Sequence, residues 1–168
     1  MTTKLLARSV TIAALLCLLG CSEQRSESPA VEAPMAATPA TAAPAPVATM
    51  PRTPSPAGAK VFFVSPADGS TVRNPVHVEF GIAAMTVVAA GVNEADSGHH
   101  HLLIDTGLPD LGLPIPKDET HVHFGDGSTS TELNLAPGQH TLQLLLGDHL
   151  HVPHEPPVMS AVITVFVE

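Results

Sequence analysis

Apolar and polar side chains alternate along the segment 76–82, where valine, phenylalanine and isoleucine are interleaved with histidine, glutamate and glycine. A period of two residues is typical of a β-strand with one buried and one exposed face. No segment of the second half of the chain has the length and 3.6-residue period of an amphipathic helix. Six further short apolar runs are of strand length, at 60–64, 85–90, 99–104, 129–135, 140–146 and 159–167. The pattern therefore predicts an all-β domain.

Turn sequences separate several of these predicted strands. Proline, aspartate and glycine, which favour tight reversals, occur at 65–69, 125–128 and 136–139. About seven short strands joined by such turns are typical of an antiparallel β-sandwich of immunoglobulin-like type. A small closed barrel is the alternative, because the number of strands does not fix their order in a sheet.

The start of the chain has the pattern of an export signal. Residues 1–20 combine a positive start, an apolar run too short for a membrane span of about 20 residues, and small residues before Cys21. The ending Leu-Leu-Gly-Cys resembles the bacterial lipobox, which implies cleavage before Cys21 and lipid on its sulfur. Because serine follows Cys21, we expect attachment to the outer membrane, with the protein facing the periplasm. An ordinary signal peptide is the alternative.

A change of composition follows the signal. Residues 21–59 are rich in alanine, proline, serine and threonine and have no apolar period, which predicts a disordered linker. The folded domain is then expected at 60–168. Both cysteines, Cys17 and Cys21, precede it, so that the domain offers no thiolate for a blue-copper or cysteine-type zinc site.

The predicted domain is strongly acidic. Residues 60–168 contain three lysines and arginines against thirteen aspartates and glutamates. Nucleic acid is not expected as a partner, because binding to phosphates needs a basic face. An acidic field attracts cations instead.

Histidine is the most informative residue type of this domain. All ten histidines lie between His77 and His154, and eight of them form three groups. Because alternate residues of a strand share a face, a His-x-His pair can present two imidazoles to one metal ion. We predict a site for copper(II), favoured by the Irving–Williams order, or for zinc. The predicted ligands are His99, His101, His121, His123, His149, His151 and His154.

Catalysis is not expected. The chain has no Gly-x-Ser-x-Gly elbow, no His-Glu-x-x-His helix, no phosphate-binding loop and no thiol nucleophile in its domain. The alternative to metal binding is an interaction module of the cell envelope. In that module the same histidines would brace loops around a surface that binds a protein or glycan.

Five segments of the chain resemble a family of bacterial exported domains, the domain of unknown function 4399. The resemblance implies a shared fold and brings no established activity. It includes the three histidine groups, which is consistent with a common site but does not identify the ligand. The segments are 61–69, 98–105, 123–125, 137–144 and 147–157.

Overall fold

Nine β-strands carry the fold of residues 49–168, the part of the chain that the computed structural model describes. This part contains no helix, and therefore none that could cross a membrane. The predicted signal peptide, the predicted lipidation site Cys21 and most of the predicted linker lie outside the described residues. The strands are β1 (Lys60–Ser65), β2 (Ser70–Val72), β3 (Val76–Ala83), β4 (Thr86–Val87), β5 (Ser97–Ile104), β6 (His121–His123), β7 (Ser130–Leu133), β8 (Gly138–Gly147) and β9 (Ile163–Val167).

The strands form two sheets. The first has the order β1-β3-β7 and is antiparallel. The second has the order β2-β9-β8-β5-β4, with β6 also paired to β5. The predicted all-β sandwich is confirmed, while its immunoglobulin-like type stays a prediction. The sandwich is not wholly antiparallel, since the short strands β2 and β4 run parallel to β9 and β5.

The largest differences in extent between predicted and observed strands lie in the runs 159–167 and 85–90. The apolar run at 159–167 forms a strand only from Ile163, because the segment before it contacts β8 partly through side chains. The Ser160 hydroxyl accepts the N–H of Leu144 at 2.9 Å, and Gln143 donates to the Ser160 carbonyl at 3.1 Å. The run at 85–90 contains only the two-residue strand β4.

The main hydrophobic core fills the space between the sheets. Val76, Val78 and Phe80, the alternate apolar residues of β3, all point into it. This is the burial that the period of two predicts. The second sheet contributes Leu102, Ile104, Leu142, Leu144, Leu146, Ile163, Val165 and Val167.

The outer face of the second sheet is covered as well. All eight residues of β5 and the last six of β8 are buried. Leu111 and Ile115, from the loop between β5 and β6, pack against Leu103 and Leu145. The N–H of Ile115 donates to the carbonyl of His151 at 2.9 Å, which joins this loop to the one after β8. Polar side chains on this face are therefore enclosed by loops.

Residues 50–55, which we name the strap, form part of this cover. The N–H of Met50 donates to the Gly112 carbonyl at 2.8 Å. The strap then runs beside Glu155, whose N–H donates to the Thr53 carbonyl at 2.9 Å and whose carbonyl accepts the Ser55 N–H at 3.0 Å. The described contacts of the domain thus begin before the expected boundary at residue 60.

Candidate metal centre

Strand β5 presents histidine to both faces of its sheet. Side chains alternate along a strand, so that His99 and His101 lie on the outer face while His100 points into the main core. All three side chains are fully buried. His100 packs against Phe80, with ring centroids 5.2 Å apart. The structure thus places two of the three consecutive histidines on one face, as the period of two requires.

The pairing of β6 with β5 brings a third histidine to this face. His123 lies opposite His101 in the antiparallel register. A fourth, His151, comes from the turn that follows β8. We name His99, His101, His123 and His151 the histidine cluster.

The four rings of the histidine cluster are in mutual contact. His99 lies 4.9 Å from His101, 5.0 Å from His123 and 4.8 Å from His151 between ring centroids, and the other pairs are 4.8 to 6.0 Å apart. One ring nitrogen each of His99, His123 and His151 lie within 4.8 Å of one another. The nitrogens of a tetrahedral zinc site lie about 3.3 Å apart, given bonds of about 2.0–2.1 Å. The nitrogens of His99, His123 and His151 are therefore near enough to one another for a single metal ion to reach all three.

Two glycines beside the histidine cluster leave room for its imidazole rings. A Cβ atom added to Gly125 would lie 2.3 Å from Cε1 of His123. A Cβ atom added to Gly147 would lie 3.0 Å from Nε2 of His101 and 3.3 Å from Cα of His151. Any larger side chain at these two positions would displace an imidazole.

Asp148 determines the conformation of the turn that carries His151. Its carboxylate accepts the N–H groups of Leu150 and Val152, each at 2.9 Å, and the Thr53 hydroxyl at 2.6 Å. Its carbonyl accepts the N–H of His151 at 2.9 Å. His151 has a φ of 67°, which a residue with a side chain adopts at a cost of about 1–3 kcal/mol. Such strain persists only where several contacts impose it.

The environment keeps the buried histidines neutral. Burial lowers the pKa of His99 to about 4, and the imidazoles of His151 and His123 act in the same direction. Burial, followed by the neighbouring imidazole of His99, lowers the pKa of His101 to about 2. The pKa of His123 is also lowered, first by burial and then by His151 and Lys117. Neutral imidazole is the form that binds metals.

Several ring nitrogens of the cluster have no partner in the described part of the chain. Nδ1 of His99, Nδ1 of His101 and Nε2 of His123 are buried without a hydrogen bond. Buried polar atoms without partners are rare in proteins and call for an explanation. Both nitrogens of His100 and Nδ1 of His154, outside the cluster, likewise have no partner among the described residues.

Three of the predicted ligands lie outside the cluster. His121 is next to Asp118, with Nδ1 2.9 Å from the carboxylate, and His154 donates through Nε2 to the Ser97 carbonyl at 3.1 Å. His149 precedes His151 in a turn, so that the shared face predicted for a His-x-His pair on a strand does not form. The structure thus brings together four of the seven predicted residues, and the role of each as a ligand stays a prediction.

Sequence reasoning missed the residues that shape the site. These residues are not among the predicted ligands; they are Asp148, Gly125, Gly147 and the strap. Only Asp148 could have been recognised from the sequence around it. Aspartate commonly accepts the N–H two residues later in a turn. That tendency favours a turn over a strand at His149 and His151.

These features define a class, an all-β sandwich domain with a buried histidine cluster on the outer face of one sheet. Residues 78–168 match the family model described as domain of unknown function DUF4399, over more than half of the chain. The chain belongs to this family, and the match includes every member of the histidine cluster. No curated protein and no solved structure matches the chain.

Proposed function

We propose that this domain binds one divalent transition-metal ion through the histidine cluster, with copper(II) preferred and zinc second. A single observation carries the proposal: ring nitrogens of His99, His123 and His151 lie within 4.8 Å of one another, with His101 beside them. Three separate parts of the fold supply these rings, namely β5, β6 and the turn after β8. The arrangement is therefore a product of tertiary structure and not of one histidine-rich segment.

The donor atoms restrict the ion. The cluster offers only imidazole nitrogen, which suits copper and zinc, whereas calcium and magnesium need oxygen ligands. Neutral rings bind without first losing a proton, since the pKa values of His99, His101 and His123 are all lowered. Copper(II) leads zinc because nitrogen sites follow the Irving–Williams order.

We infer that the bound ion is held and exchanged without catalysis. Catalytic zinc sites keep three protein ligands and one open position, whereas four imidazoles complete a tetrahedral shell. A cleft of about 650 Å³ lies beside His123 and is lined also by Lys117 and Asp126. Because His123 contributes to both the cleft and the cluster, we propose the cleft as the route of metal exchange.

The sequence supports a place for this function in the bacterial cell envelope. The proposed lipid on Cys21 would anchor the protein to the outer membrane, and the segment after it would hold the domain in the periplasm. The thirteen acidic residues of 60–168 would raise the local concentration of cations there.

A second candidate function is an envelope interaction module without a metal. It is supported by the histidines that already brace the fold. His140 donates from Nε2 to the Ala136 carbonyl at 2.8 Å, while its Nδ1 lies 2.6 Å from Asp105. His154 bonds to the Ser97 carbonyl. In this alternative, the four clustered rings would likewise serve only for packing.

Calorimetric titration of the metal-free protein with copper(II), and separately with zinc, distinguishes the two functions. We expect one ion per chain and a loss of affinity of roughly 100-fold or more for His151→Ala, beyond the ~10–100-fold typical of residues that only orient a ligand. His149→Ala is the matched control, because it changes a histidine of the same turn outside the cluster. Absence of saturable binding, or equal losses in both variants, would overturn the proposal.

A further inference from the structure

We propose that the strap is a positioning element of the metal site: through Arg52 and Thr53 it fixes the turn that carries His151 and so sets metal affinity and release. The inference rests on the proposed function and names a means of its regulation. The strap belongs to the part of the sequence whose composition predicts a linker. Its contacts with the rest of the domain are nevertheless specific.

Arg52 contacts the residues that follow the turn. Its Nε donates to the Pro153 carbonyl at 2.9 Å, and a second guanidinium nitrogen donates to the His154 carbonyl. The guanidinium also forms an ion pair with Glu155. The arginine side chain is mostly buried, with 17% of its surface exposed. One planar guanidinium thus fixes three consecutive residues, a task for which a flexible lysine is less suited.

Thr53 contacts Asp148, the residue at which the turn begins. Its hydroxyl donates to Oδ2 of Asp148 at 2.6 Å, while Oδ1 of the same carboxylate accepts the N–H groups of Leu150 and Val152. Burial opposes the charged form of Asp148, but the hydrogen bonds, that of Thr53 foremost, lower its pKa. The threonine therefore helps to keep the carboxylate charged and oriented, and the carboxylate orients the turn.

His151 depends on both contacts. Its positive φ of 67° is a sparsely populated conformation for a residue with a side chain, and it persists where surrounding contacts over-determine it. If the strap were released, the turn could relax and the fourth imidazole would move away from His99 and His123. A site that must be ordered on binding has a lower affinity than one that is already ordered.

The variant that tests this is Thr53→Val in the full chain, because valine keeps the shape of threonine and removes only the hydroxyl. We expect zinc affinity to fall on the order of ten-fold, the range found for residues that orient a ligand, and zinc dissociation to accelerate. Thr53→Ser, which keeps the hydroxyl, should restore most of the affinity. Arg52→Gln should act in the same direction as Thr53→Val. Arg73→Gln, which alters an exposed ion pair with Glu168, should have no effect.

A combination with His151→Ala separates positioning from general stabilisation. If Thr53 acts through His151, Thr53→Val should change zinc affinity little once His151 is absent. An equal loss in both backgrounds, or unchanged affinity in the native background, would overturn the role of the strap and leave metal binding intact. Absence of zinc and copper binding by the unaltered protein would instead overturn the proposed function, and the strap proposal with it.

Discussion

His99 and His101 hold their Nε2 atoms 3.1 Å apart on the outer face of β5. A hydrogen bond between these two atoms requires that one neutral ring carries its proton on Nε2 and the other on Nδ1. Both rings are fully buried, and burial strongly lowers both pKa values. The pair is therefore neutral at pH 7, and an ion that takes one of these nitrogens has to replace a hydrogen bond and not a charge.

This relationship predicts the pH dependence of metal binding. A ligand with an ordinary histidine pKa of 6.5 would lose metal as the pH falls through 6.5, whereas His99, with a pKa of about 4, resists protonation until the pH approaches that value. We expect zinc affinity to change little from pH 8 to 7 and less than ten-fold per pH unit down to pH 5. It should fall steeply near pH 4. Titrations at fixed ionic strength measure this, and a steeper loss above pH 5 would contradict it.

His100 predicts how stability changes with pH in the metal-free protein. Burial in the core lowers its pKa from 6.5 to about 4. Below pH 6.5 the unfolded chain binds a proton that the folded chain does not, so that the free energy of unfolding falls until the pH reaches about 4. The contribution is about 3 kcal/mol, at 1.36 kcal/mol for each unit of pKa.

Denaturant unfolding of the metal-free protein between pH 7 and 4 checks this prediction. His100→Leu removes the titrating group and should make the acid loss of stability shallower by about that amount. His77→Leu is the control, because His77 is exposed and paired with Glu132. If the two variants had the same pH dependence as the unaltered protein, His100 would not be the origin of the loss.

The sequence predicts the parts of the site that follow from local periodicity. Alternation places His99 and His101 on one face and His100 on the other, and the structure agrees. Alternation cannot predict which residue of β5 lies opposite His123. The register between β6 and β5 depends on a pairing across a loop of sixteen residues.

The remaining parts depend on contacts between residues far apart in the chain. Thr53 and Asp148 are separated by 95 positions, and nothing in an alanine- and proline-rich composition indicates that contact. The linker was therefore predicted to continue to residue 59, although the strap is already bound to the domain. A second difference is local. The His-x-His spacing predicts that His149 and His151 share one face of a strand, whereas the hydrogen bonds of Asp148 hold them in a turn.

The position of Gly125 leads to a prediction: replacing it with alanine should weaken metal binding while the domain stays folded. A Cβ atom at this position would lie 2.3 Å from Cε1 of His123, so that Gly125→Ala must displace that ring. We expect zinc affinity to fall by about ten-fold or more, since small displacements of ligands have large effects on function. Gly107→Ala is the control, because a Cβ atom there would meet nothing within 4 Å. Thermal unfolding should show that both variants remain folded, and unchanged affinity in Gly125→Ala would contradict the assignment of His123.

The charge of Lys117 leads to a prediction about the rate at which the metal ion associates. It lines the cleft beside His123, and its charge is one of the causes that lower the pKa of this histidine. A positive charge in the lining of the cleft also repels an approaching cation, so that Lys117→Ala should accelerate zinc association by roughly two- to three-fold at low ionic strength. The effect should fade in 1 M salt, where the screening length is about 3 Å.

Lys60→Ala provides the matched control for this rate, because it makes the same change in net charge. Lys60 lies on β1 in the other sheet, above the ring of Phe62. If the approach of the ion depended only on the net charge of the domain, both variants would accelerate association equally. If the ion enters through the cleft beside His123, only Lys117→Ala should do so. Stopped-flow mixing of zinc with the metal-free protein distinguishes the two, and equal rates would contradict the cleft as the route of exchange.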